Sequence, residues 1–136
     1  MNGWKCAIGA VLLASAALFN TQVLADSGYS AYEVTITNIT KGEIFTPIMV
    51  ATHGKDIKLF TTGAAASHEL EILAEGGDSG PLSSKLLDDG ALDIATTGMN
   101  VLPPGQSVTL HVKTNNRNNH VSVAAMLVPS NDAFFA

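Results

Sequence analysis

Positive charge is scarce in this chain. Only 7 Lys and Arg stand against 12 Asp and Glu in 136 residues, and charged residues of either sign make up 14%. Binding to nucleic acid depends on clustered Lys and Arg, so a net charge of −5 with scattered basic residues argues against it. Cysteine is nearly absent: Cys6 stands alone, so no disulfide within the chain can staple the fold. Neither an internal repeat nor a low-complexity block is present, which excludes a solenoid. What is abundant is apolar: 46% of residues are hydrophobic, ample for one packed core at this length.

One long apolar run exists, and it lies at the start. Lys5 precedes Ala7 to Phe19, and Val23-Leu24-Ala25 places small residues at the −3 and −1 positions before Asp26. A positive residue, an apolar run and a small-residue cleavage site predict a secretory signal peptide over 1–25. The run is too short and too rich in small residues to span a membrane, so no span is expected after cleavage. Removal takes only Lys5 from the seven basic residues and none of the twelve acidic ones, so the net charge moves from −5 to −6. The remaining domain, 26–136, has no cysteine. It must rest on its core or on a bound ion, and export with acidity keeps a metal cation among the expected partners.

Period-two alternation predicts a half-buried strand over Tyr32–Ile39, with Tyr32, Val34 and Ile36 on one face. Lys41-Gly42 turns the chain. Ile44–Ala51 is a second strand candidate, interrupted at Pro47, which cannot donate to a ladder. His53–Asp56 reads as loop and Ile57–Phe60 as a short extended piece. Ala64–Glu75 is rich in helix formers, with Ser67 as N-cap and Gly76-Gly77 as the stop. Pro81 begins a second helical stretch reaching about Leu87. Pro103–Gln106 is a turn, Ser107–Lys113 alternates with Val108, Leu110 and Val112 inward, Asn115–Asn119 is a hairpin loop, and His120–Val128 is the longest apolar strand.

Three constellations could carry chemistry. Gly77-Asp78-Ser79-Gly80-Pro81 looks like the nucleophile motif of chymotrypsin-like serine proteases, and His53 lies upstream in the right order. The pattern lacks a second Gly before the Pro, the chain is about half the length a double barrel needs, and Asp-Ser-Gly-Pro is ordinary turn and cap chemistry. His53, His68, His111 and His120 have no paired zinc spacing and read as exposed or hydrogen-bonded histidines. Asp88, Asp89, Asp93 and Asp132 are oxygen donors suited to a hard cation such as Ca²⁺, or solvated caps and turns.

The carboxy-terminal run from Val121 to Ala136, with Met126-Leu127-Val128-Pro129-Ser130-Asn131-Asp132 before an aromatic pair, resembles the spondin N-terminal domain family. Two further segments are similar to that family: Ile44–His53, and Phe60–Ser67 followed by the helix and Leu73-Ala74-Glu75-Gly76-Gly77. The overall pattern resembles the single-domain bacterial members. The resemblance implies a mainly β fold, an antiparallel C2-like β-sandwich with one or two short helices inserted in the middle. It also implies extracellular binding or cell adhesion in the animal members, and a Ca²⁺ site in which the motif Asp corresponds to Asp132. The other ligands in that family come from an Asp-Ala-Gly-Thr-Asp/Glu motif further downstream, which this chain, ending at Ala136, does not reach. The expectation is therefore a partial metal site at Asp132 and a domain open at its carboxy-terminal end.

Together these readings predict an exported, non-enzymatic binding module, periplasmic or extracellular, that meets an envelope or extracellular protein or a glycan. The alternatives are a secreted serine hydrolase using Ser79 and His53, and a structural envelope protein with no ligand.

Overall fold

The computed structural model describes residues 28–136, so the expected signal peptide lies outside the described residues. Among these, seven strands and two helices follow in order: β1 (Ser30–Thr37), β2 (Ile44–Phe45), β3 (Met49–His53), α1 (His68–Gly76), α2 (Gly80–Asp88), β4 (Asp93–Thr96), β5 (Ser107–Thr114), β6 (His120–Val128) and β7 (Phe134–Phe135). Every pairing is antiparallel, and the architecture is the expected mainly β sandwich with a helical insertion.

One sheet is the long pair of β1 and β5, matched from Ser30↔Thr114 to Thr37↔Ser107. The other is centred on β6, which pairs with β2, β3 and β7, while β4 adds to the far edge of β3. The second strand expected from sequence is cut in two at Pro47. Three residues, Thr46, Pro47 and Ile48, stand opposite two, Ala125 and Met126, which is a β-bulge. The Thr46 hydroxyl accepts the Met126 N–H at 3.0 Å and so meets the donor that a regular ladder would have paired.

The larger sheet is covered on both faces. Alternate residues Met49, Ala51 and Ala124 point to the helices and pack with Leu59, Leu70, Leu73, Leu82 and Leu86. The opposite face meets the β1–β5 sheet through Phe45, Ile48, Leu102 and Ala125, joined by Ile36, Val108 and Val123. All five residues of β3 are buried, as a strand sandwiched on both faces requires.

Local chemistry sets the helix ends. The Ser67 hydroxyl accepts the Leu70 N–H at 3.3 Å, and Gly77 closes α1 in the left-handed region at φ 70. Pro81 sits in the first turn of α2. Three details differ from the sequence reading. Ile57–Phe60 forms no strand; Leu59 is buried under the helices instead. His53 closes β3 rather than opening a loop. The short strands β4 and β7 carry no alternating run of their own and arise from pairing with β3 and β6.

Candidate functional site

Asp132 lies in the turn that carries β6 back into β7. That turn is tied by Leu127 N–H to the Ala133 carbonyl at 2.8 Å, and by the Ser130 hydroxyl, which donates to the Leu127 carbonyl and accepts from Ala133 N–H. Asp132 is exposed at the mouth of a cleft of about 220 Å³ between this turn and α1, with Leu70, Ala74 and Phe134 as its apolar wall and Glu71 and Glu75 at its rim. Calcium takes about six to eight oxygen ligands at short range. Among the described residues no three His, Cys, Asp or Glu side chains converge closely enough to hold a metal. The donor set present therefore supplies Asp132 without the other carboxylates of a cage.

The remaining acidic candidates stand apart and have other partners. Asp89 pairs with Lys85 at 2.6 Å, and its hydrogen bond and charge hold the Lys85 ammonium above its ordinary pKa. Asp93 accepts the Ile94 N–H at 3.0 Å and the Lys113 N–H at 2.8 Å, and so ties β4 to β5 across the two sheets. Asp88 is exposed at the end of α2.

Ser79 and His53 are not brought together as a hydrogen-bonded pair. Ser79 is buried at the N-cap of α2, where its side chain makes no cap bond and its carbonyl accepts from Ser83. His53 is 4% exposed and has both ring nitrogens engaged. Nδ1 lies 2.8 Å from the Gly54 carbonyl and must donate to it, and Nε2 lies 2.8 Å from the Ser122 hydroxyl. A serine–histidine pair thus exists, but with Ser122, and a backbone carbonyl stands where a triad places its acid. The other histidines fit the bland reading. His68 and His111 are exposed beside Glu71 and Glu33, and His120 stacks on His53 with ring centroids 6.1 Å apart.

A further polar feature is one the sequence reading passed over as a hairpin loop. The turns 54–56 and 115–119 lie side by side at one end of β3 and β6 and enclose a cleft of about 400 Å³. The two turns approach closely at Gly54, where a Cβ would stand in ordinary contact, 3.4 Å from the Arg117 carbonyl. The Asn115 side-chain oxygen fixes the longer turn by accepting the backbone N–H groups of Arg117 and Asn118 at 2.9 and 2.8 Å. Lys55, Asp56, Asn116, Arg117, Asn119 and His120 line the cleft with Gly54. Sequence order hides this grouping, because Lys55 and Arg117 are far apart until β3 pairs with β6.

The bulge at Pro47, the capped helix α1 and the β6–β7 return fall in the three segments that carried the sequence resemblance. A family model for Spondin_N matches residues 35–135. The chain belongs to the Spondin_N family. The match begins within β1 and ends in β7, so both sheets and both helices belong to the Spondin_N unit. No curated protein matches the chain. Among the described residues, no helix of this Spondin_N domain is long and apolar enough to cross a membrane.

Proposed function

We propose that the protein is an exported, non-enzymatic binding module that acts in extracellular or cell-surface adhesion. One observation carries this reading: the open polar cleft formed by the turns 54–56 and 115–119 on a doubly covered sheet. Its amides and cations face solvent, while His53 is buried with both ring nitrogens engaged and has a backbone carbonyl on Nδ1. A rigid sheet that presents loops is a scaffold suited to recognition. Calcium, implied by the family through Asp132, enters only as a test, because the described residues do not form a cage around it.

The test of the reading is a titration of labelled protein onto intact cells and their extracellular matrix, with fractionation to locate the protein. Saturable binding, recovery outside the cytoplasm with Asp26 as first residue, and no reaction with a fluorophosphonate probe are expected. Retention in the cytoplasm, uptake that never saturates, or covalent labelling of Ser79 or Ser122 overturns it. For the metal, the melting temperature is compared in millimolar Ca²⁺ and in EDTA. Equal values are expected from the donor set described above. A rise in Ca²⁺ that Asp132→Ala abolishes would instead establish a site completed by water and backbone oxygen.

A further inference from the structure

We infer that the cleft between the turns 54–56 and 115–119 is a binding site for an anionic saccharide, recognised through Arg117. The inference rests on the binding-module reading and names the class of its partner. Six Lys and Arg follow position 27 in a chain of net charge −5, yet two of them, Lys55 and Arg117, line this one cleft together with His120, against a single carboxylate, Asp56. Lys55 bonds the adjacent Asp56 at 3.0 Å, an exposed pair whose side chains are 77% and 86% accessible and which solvent largely screens. The guanidinium of Arg117 has no ion pair or hydrogen bond among the described residues, and neither have the side-chain amides of Asn116 and Asn119.

The backbone that carries these free donors is held in place. The Asn115 side-chain oxygen accepts the backbone N–H groups of Arg117 and Asn118 and so fixes the turn that carries these donors. Beneath them the His53 ring is locked by Gly54 and Ser122, and it supports His120 as a flat face. A planar, two-pronged guanidinium suits a carboxylate or sulfate group. Neighbouring amides suit hydroxyls, and an imidazole face suits the C–H surface of a sugar ring. The volume lies within the range of small-ligand pockets, about 300–1,000 Å³.

Other anionic partners fit less well. A nucleic acid needs a track of cations along its backbone, and the lining offers only Lys55 and Arg117. An acidic peptide needs an apolar or aromatic anchor pocket, and apart from the His120 ring the lining offers none.

Isothermal titration of the full chain at low salt tests the site with three probes: an oligogalacturonate, a sulfated dextran oligosaccharide and a neutral dextran oligosaccharide. Binding of at least one charged probe and not of the neutral one is expected, and which one binds identifies a carboxylate or a sulfate ligand. Arg117→Ala should weaken binding roughly tenfold or more, and Arg117→Lys should recover only part of it, because charge returns without the two-pronged geometry. Lys58→Ala removes the same charge outside the lining and should leave binding within about twofold, because Lys58 has no place in the cleft wall. Arg117 is exposed with a free side chain, so an unchanged melting temperature verifies that its variants fold. Equal binding of the neutral probe, no binding of either charged probe, or equal losses in Lys58→Ala and Arg117→Ala overturns the inference. If the charged probes fail while saturable binding to cells survives Arg117→Ala, this inference falls and the module reading stands. If the unaltered protein shows no saturable binding to cells, both fall.

Discussion

Asn38 shows how much one side chain can hold. It is fully buried; its amide donates to the carbonyls of Glu43 at 2.7 Å and Leu102 at 2.9 Å, and its oxygen accepts from the backbone and hydroxyl of Thr40. Asn38→Ala leaves several buried groups without partners, so a loss of about 2–4 kcal/mol in urea denaturation is expected. Ser67 acts on a smaller scale: Ser67→Ala removes the α1 cap and should cost about 1 kcal/mol. Glu69, beside it, is held below its ordinary value of 4.5, first by its own backbone N–H and then by the Ser67 hydroxyl. A lowered carboxylate stabilises the fold above its ordinary value and loses that contribution as pH falls through the lowered one. The difference in urea midpoint between the unaltered protein and Glu69→Gln should therefore be present at neutral pH and shrink as pH drops below 4.5. The Ser67 cap was legible from the sequence. The role of Asn38 was not, because what buries it is the tie from its own loop to Leu102, 64 positions further along the chain.

At the scale of elements, α1 is decided as much by its stop as by its apolar stripe. Gly77 has φ 70, and a Cβ there would stand 2.7 Å from the Thr46 side chain, the same residue whose hydroxyl satisfies the bulge. Gly77→Ala combines left-handed strain with that clash, so a loss of about 2–3 kcal/mol is expected, well above the ordinary cost of alanine at a helix end. An unchanged melting temperature would show that Thr46 moves aside freely. Strong local signals made β1, β5, β6 and both helices readable: alternation, caps and a helix-starting proline. The strands β4 and β7 are short and mixed, and what makes them strands is the neighbour that each pairs with.

For the whole molecule, protection follows the layering. β3 lies between β6 and β4 and is covered above and below, whereas nothing among the described residues pairs with the outer edge of β1. Hydrogen exchange should be slowest at the ladder-bonded amides of β3 and faster by orders of magnitude at the outward amides of β1, because opening β3 requires both layers to separate. Equal rates in the two strands would mean that the sheets do not unfold from the edge inward. The candidate site belongs to this scale too. Asp132 was identified from a local motif, and its turn lies where the motif placed it. The grouping of Lys55, Arg117 and His120 came only with the β3–β6 pairing, whose register sets His53 opposite His120.

The sequence by itself determined the acidic balance, the absence of staples, the strand and helix character of the strongly patterned segments, and the family motifs. Those are properties of neighbours in the chain, where periodicity, caps and proline act over a few residues. Tertiary structure alone decided which of the scattered polar groups meet. It joined His53 to Ser122 and not to Ser79, left Asp132 without a ring of carboxylates, and set Arg117 beside Lys55. The physical reason is that antiparallel pairing at a fixed register brings together residues from opposite ends of the chain, and no local pattern in the sequence carries that register.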